Sequence, residues 1–366
     1  MNILRRARPL DLASASADEL LASVRGVFWP HLLAAITLLV VVALIGLALG
    51  PTNVRLDDTV RILLHHTFGF DTVANVSTTS ETIVWDVRLP RVLLAGVVGA
   101  TLALTGASYQ GVFRNPLADP YLIGVATGAA LGATIVVTSG VSVSWHGLSL
   151  LPLAAFAGAV LTVVIVYGVA RVGGAVPLTT LILAGVAVSS LSTAITSYLM
   201  IHNTSNAGLV FSVTLGGFNT ASWTKLLWVL PYAVPAAIVI LMHARIINVL
   251  SLDEDQARFL GVDVERTKLL LLTVSSLAAA AAVSVGGTIG FVGLVVPHAI
   301  RLVWGPDNRY LLPMSIVLGA AFLIGADLVA RTADRPAEIP VGIITAFCGV
   351  PFFLYLLRRA KSGAFW

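Results

Sequence analysis

Ten stretches of about twenty consecutive apolar residues constrain this chain more than any other feature. They lie near 31–50, 92–112, 121–140, 149–170, 179–200, 222–244, 269–285, 287–304, 311–330 and 340–357. At 1.5 Å of rise per residue, each is long enough as a helix to cross roughly 30 Å of hydrocarbon. Inside a bilayer water cannot satisfy the backbone, so only helices or closed barrels span it. A lipid-facing strand would alternate with period two, and these runs do not. The expected fold class is therefore an all-α polytopic membrane protein with about ten transmembrane helices. With 57% hydrophobic and only 11% charged residues, the composition excludes an ordinary soluble domain. The first run follows thirty residues that include acids, so it is read as a retained helix and not as a cleaved signal.

Orientation follows from basic residues. With both termini cytoplasmic, fifteen of the 22 Lys and Arg fall inside, so the basic balance reflects topology and not nucleic-acid binding. Residues 11–28 read as a short amphipathic helix on the cytoplasmic surface, with Ser16 and Glu19 in capping-box spacing. Outside, Val60, Leu63 and Leu64 recur at helical spacing before His65 and His66. Adjacent helical residues point apart, so an interfacial helix is a better reading of that pair than a metal site. The single cysteine, Cys348, reads as a small buried hydrophobe.

Trp85 stands where an interfacial anchor is expected, and Pro90 where a helix begins. Arg88 and Arg91 share a face on the outer side, either snorkelling to headgroups or meeting an acidic partner. The run then ends at Arg114-Asn115-Pro116, and Asp119 with Pro120 starts the next, which predicts a tight cytoplasmic turn. Gly124, Gly128 and Gly132 form a ridge for close helix packing. Ser189, Ser190, Thr193, Thr196 and Ser197 suit the wall of a polar pathway. In the loop before the seventh run, SLDEDQARFLGV (251–262) has Ser251 and Glu254 in capping-box spacing and acids at the helix start. Gly261 stands at its end, and Phe259 and Leu260 lie on a charged segment. A short partner-docking helix is the reading.

Several chemistries are absent. The lysines, Lys225, Lys268 and Lys361, complete no phosphate-binding loop. No Asp or Glu lies deep in a run, as an ion-coupled carrier would need; Asp327 comes nearest. No nucleophile and base suggest an enzyme. Energy for transport would then come from another polypeptide, delivered at 251–262.

RLPR (88–91), GASYQGVFRNPLADPYLIGVATGA (106–129), SLDEDQARFLG (251–261), GTIGFVGLVVPHAIRL (287–302), ADLVAR (326–331) and EIPVG (338–342) together resemble the FecCD family of type II ABC importer permeases. Its members move iron-siderophores, haem or cobalamin. The resemblance implies the type II permease fold over a single transmembrane domain at 31–359, flanked by cytoplasmic segments 1–30 and 360–366. It also implies a second permease subunit, preferably another copy, with two ATPase subunits inside and a substrate-binding protein outside, in a bacterial or archaeal cytoplasmic membrane. ATP and Mg would sit on the ATPases, leaving this chain with no cofactor, no metal and no catalysis of its own. Position by position, Arg88, Arg91 and Arg331 would dock the binding protein. Leu252, Asp253, Glu254, Ala257, Arg258, Leu260 and Gly261 would form the coupling helix. Asn115, Leu117, Leu178 and Thr179 would gate the inner mouth, with Leu178 departing from the small hydroxyl that family members can carry there. The competing reading is an uncoupled channel or secondary carrier. Nothing in the residues, His202 included, names the cargo.

Overall fold

The computed structural model describes the chain except residues 1–16, 51, 53, 71, 74–75, 142–143, 146–147, 172–175, 203–206, 253, 336 and 361–366. Its helices are α1 (Ala17–Ala48), α2 (Leu56–Phe68), α3 (Thr78–Thr82), α4 (Leu89–Val112), α5 (Val125–Ser139), α6 (Leu150–Ala170), α7 (Leu178–Ile201) and α8 (Ala207–Leu215). They continue with α9 (Trp223–Met242), α10 (Ala244–Leu250), α11 (Glu254–Phe259), α12 (Val264–Gly286), α13 (Val292–Trp304), α14 (Asn308–Ala330) and α15 (Val341–Ala360). A hairpin of two-residue strands, Ser144–Trp145 and Leu148–Ser149, is the only β pairing among the described residues.

Each of the ten apolar runs becomes a helix: α1, α4, α5, α6, α7, α9, α12, α13, α14 and α15. Among the described residues, seven helical segments are long and apolar enough to cross a membrane, whereas Val125–Ser139, Val292–Trp304 and Val341–Leu356 are shorter. Val125–Ser139 follows the 3₁₀ turn Pro120–Ile123, and the other two follow the non-helical stretches 287–291 and 337–340. The helix α8 has no counterpart among the ten runs. Of residues 11–28, read as a separate surface helix, the described part (17–28) continues into the first span as one 32-residue helix with Pro30 inside it. Ser16 lies outside the described residues.

At the centre stands α4, with 20 of its 24 residues buried against α14, α12, α13 and α9. Lipid tails are as apolar as leucine, so helices here associate through close packing and internal hydrogen bonds. A Cβ on Gly106 would lie 2.0 Å from the Gly293 carbonyl oxygen, so backbone meets backbone where α4 crosses α13. The glycine ridge of α5 works in the same way, because a Cβ on Gly128 would lie 2.6 Å from the Gly158 carbonyl of α6. Buried hydroxyls close on carbonyls one turn back, as Thr105 does on Thr101 and Ser315 on Leu311. Tyr109 bonds Ser276 at 2.7 Å, and Gln110 donates to Gly293 while accepting from Arg301.

Pro90 falls in the first turn of α4, but no break in the helix precedes it. Thr78–Val112 is one continuous helical stretch, and ahead of the proline it widens into a π-helical turn at Ile83–Arg88, where Leu89 N–H reaches Val84. Proline lacks an N–H and crowds the preceding turn, and the wider turn absorbs both defects without breaking the rod.

Candidate functional site

The three outer arginines lie inside the protein. Arg88 is 3% exposed, Arg91 8% and Arg331 2%. Arg88 donates to the carbonyls of Leu47 and Ala48 at 2.8 and 2.7 Å, and to that of Thr52. It thereby satisfies the carbonyls that the end of α1 leaves unpaired, with a positive charge at the negative end of the helix dipole. Arg91 grips Asp327 through Nε and Nη2 (2.8–3.1 Å) and Glu338 through Nη1 and Nη2 (3.0 and 3.1 Å). Arg331 faces Asp327 at 3.4 Å and donates to the Gly46 carbonyl. The expectation of surface arginines waiting for acids is thus corrected. These guanidinium groups already bind α1 and the α14–α15 turn to α4, and Asp327, read as merely near membrane depth, is their buried counter-charge. Glu338 belongs to the same cluster and was missed, because its partner is 247 residues away.

Below this cluster, three interrupted helices meet. Gly286, at the end of α12, lies beside Val98, nine residues and so about 14 Å down α4. Gly217 N–H bonds the Gly286 carbonyl (2.8 Å), Thr288 N–H that of Val213 (2.9 Å), and Val341 N–H that of Gly216 (3.0 Å). The Tyr121 hydroxyl donates to the Ile289 carbonyl and accepts from Ile289 N–H. Unwound backbone at this depth is tolerated because the breaks satisfy one another. Gly216 (φ 68°) and Gly287 (φ 71°) adopt the left-handed conformation that the turns require. Phe291 adopts it too (φ 69°), a strained setting for a bulky side chain, with its ring packed where Gly349 lacks a Cβ.

Beside this junction α7 is largely uncovered. Ser190, Thr193 and Ser197 are exposed, Ser189 is half-buried and accepts from Thr127, and Thr196 turns into the bundle. Leu183, Leu191 and Tyr198 share the open side, each more than 60% exposed, so the hydroxyls form part of a mainly apolar face. Cys348 is also exposed, with Phe347, Val350 and Leu354 on an equally open α15, contrary to its reading as a core residue. His202 Nδ1 pairs with the Tyr198 carbonyl at the end of α7. His65 and His66 have separate partners, the Phe70 carbonyl and Glu81. No three metal-ligating side chains converge among the described residues.

At the opposite end of α4 the hinge folds as its residues predict. Asn115 Oδ1 accepts from Leu117 N–H (2.9 Å) and Asp119 Oδ1 from Tyr121 N–H (2.8 Å), opening the 3₁₀ turn Pro120–Ile123. Leu117 and Leu178 are half-buried and Thr179 is exposed. Phe113 and Val176, just before the two gate segments, line one cavity, so the segments share an end of the bundle.

The element at 252–261 is α11, closed by Gly261 (φ 81°), with Gly261 N–H bonding Arg258 and Val262 N–H bonding Ala257. Ala257 is fully buried against Leu250 and Val264, whereas Leu252, Phe259 and Leu260 are 65%, 91% and 66% exposed. Arg258 pairs with Asp255 and Glu265. Asp253 lies outside the described residues. The Ser251 hydroxyl donates to the carbonyls of Ile247 and Asn248 at the end of α10. Sequence reasoning also missed Asn248, which donates to Asp307 at 2.7 Å and accepts from Asn308 N–H at 2.8 Å. Through it α10, the footing of α11, is fastened to the start of α14, whose far end carries Asp327.

The chain matches the FecCD transport family over residues 38–359. It is 43% identical to the cobalamin import system permease protein BtuC of Halobacterium salinarum, covering 94% of this chain and 99% of that protein. It is 39% identical to the hemin transport system permease protein HmuU of Yersinia pestis (88% and 94%), and 34% to the molybdate import system permease protein MolB of Haemophilus influenzae (92% and 97%). A solved structure described as an inward-facing conformation of a metal-chelate type ABC transporter superposes with a TM-score of 0.77 at 32% identity, covering 90% of this chain and 99% of that one.

Proposed function

The chain belongs to the FecCD transport family, and from that membership we propose that it is the permease subunit of a type II ABC importer. Two ATPase subunits, which carry ATP and Mg, engage α11 on the inside. A loaded substrate-binding protein docks outside, and a second permease, preferably another copy, covers the open faces of α7 and α15. ATP binding moves the α11 footing and switches the bundle between outward- and inward-open packings, with Asn115–Leu117 and Leu178–Thr179 at the inner mouth. The membrane is the cytoplasmic membrane of a bacterium or archaeon, with both termini inside.

The observation that carries this reading is α11 itself. This six-residue helix and its flanks present Leu252, Phe259 and Leu260 to water, while Ala257 is packed beneath and the preceding α10 is tied through Asn248 to the start of α14. An isolated loop gains nothing from that exposure, whereas a groove on a partner does. Outside, the buried arginine cluster shapes the docking surface, and contact falls to the exposed part of the same turn, including Arg335 and Glu338.

The cargo is a metal chelate, with cobalamin the first to test, since the relative named for its import is 43% identical over nearly its whole length. Proteoliposomes holding this chain, its ATPase and its binding protein should accumulate labelled cobalamin only with ATP. Accumulation without ATPase subunits would point to an uncoupled carrier and end this reading; ATP-driven uptake of haem or a siderophore instead would change only the cargo.

A further inference from the structure

Two cavities adjoin one another between α6 and α12. The inner one, about 230 Å³, is walled by Val160, Val163, Val164, Leu269, Thr273 and Leu277, and is almost wholly apolar. The second, about 310 Å³, lies at the cytoplasmic end and is rimmed by Arg171, Glu265, Arg266 and Lys268. Tyr167 and Leu269 line both, so the two are stacked along the same pair of helices. Gly168 borders the mouth, and a Cβ there would meet nothing within 4 Å, so the entrance is open. From Lys268 to Leu277 the cleft follows nine residues of α12, about 14 Å, close to the depth of one leaflet. Val164 and Val169 of α6 and Leu269 of α12 are more than half exposed, so the cleft opens on an apolar surface.

The charges at the mouth have one sign in excess. Three cations face one carboxylate on the rim, Glu265, which itself pairs with Arg258 at 3.8 Å; Arg266 also holds Asp263 at 3.0 Å. An apolar slot of leaflet depth under a basic rim matches one class of molecule. We propose that the α6–α12 cleft holds an anionic phospholipid of the inner leaflet, its headgroup at Arg171, Arg266 and Lys268 and an acyl chain along Val160, Val164 and Leu277. The leaflet rests on the cytoplasmic assignment of α11; the binding itself does not depend on transport. Because α12 begins four residues after α11 ends, the headgroup sits beside the segment that meets the ATPase, and the lipid stiffens that footing. An ATPase acidic patch on the same rim is disfavoured, since it has no use for the slot beneath.

Native mass spectrometry of the full chain in detergent, with phosphatidylglycerol or phosphatidylcholine added, tests this. The wild type should retain phosphatidylglycerol in preference. The variant Arg171→Gln, Arg266→Gln, Lys268→Gln should lose that retention at least tenfold, on the basis of roughly fivefold per charge. Val164→Trp, on an exposed helix face, should displace both lipids with the rim intact. Equal retention of the two lipids by the wild type would overturn the proposal, as would undiminished phosphatidylglycerol in either variant. A triple variant that loses only ATPase co-purification would assign the rim to the ATPase instead.

Discussion

Asp327→Asn is the sharpest probe of how the outer end is held. In the wild type two guanidinium groups, Arg91 and Arg331, face two carboxylates, Asp327 and Glu338. Asp327 is 1% exposed and takes three hydrogen bonds from Arg91. The substitution keeps the shape but leaves two buried cations against Glu338 alone, whose side chain is 31% exposed. Removing one partner of a buried pair costs about 3–5 kcal/mol, because the remaining charge stays desolvated. Glu338→Gln, nearer water, should cost about 1 kcal/mol or less. Unfolding in mixed micelles by SDS titration, followed by tryptophan fluorescence, reads both. In a double-mutant cycle, Arg91→Met with Asp327→Leu should be less destabilised than the sum of the single changes by about 1.5 kcal/mol or more. A loss below about 1 kcal/mol for Asp327→Asn, or additivity within about 0.5 kcal/mol, would refute the cluster as a coupled unit.

Three further expectations follow from the packing. Gly106→Val should abolish the folded, monodisperse protein in size-exclusion chromatography, because the new Cβ meets the backbone of Gly293 and not a side chain that can turn away. Phe259→Ala with Leu260→Ala should leave thermal stability unchanged, both being exposed, and cut ATPase co-purification at least tenfold. At Asp307, partial burial pushes the carboxyl up, but hydrogen bonds from Arg309 and Asn248 outweigh it and hold the group below its ordinary 3.8. A depressed folded pKa gives stability that is fully present above the unfolded value and is lost as pH falls through the folded one. The stability gap between wild type and Asp307→Asn should therefore be constant above about pH 5 and close below 3.8. A gap that persists at pH 2 would show that the carboxylate charge is not what fastens α14.

The same packing decides what charge reversal at Arg88 does. A glutamate there removes the donor that closes α1 and sets a negative charge against three carbonyls. The variant should lose folding before docking can be measured, so binding-protein contact is better probed at Arg335, which is exposed on the following turn.

What the amino-acid order decided alone is local in kind. Run length against bilayer thickness dictated ten apolar helices, and the turn chemistry of Asn115, Asp119 and Gly261 dictated the hinge and the end of α11. Each of those outcomes depends on residues within a few positions of one another, where periodicity and capping act. The tertiary structure decided whatever joins distant residues. Arg91 meets Asp327 across 236 positions and Glu338 across 247, so no spacing rule distinguishes a surface arginine from a buried one. Likewise α12 and α15 read as separate apolar runs, and α8 matches none of the ten. Only their packing shows that their ends meet and satisfy one another's backbone, as helix ends within a membrane must.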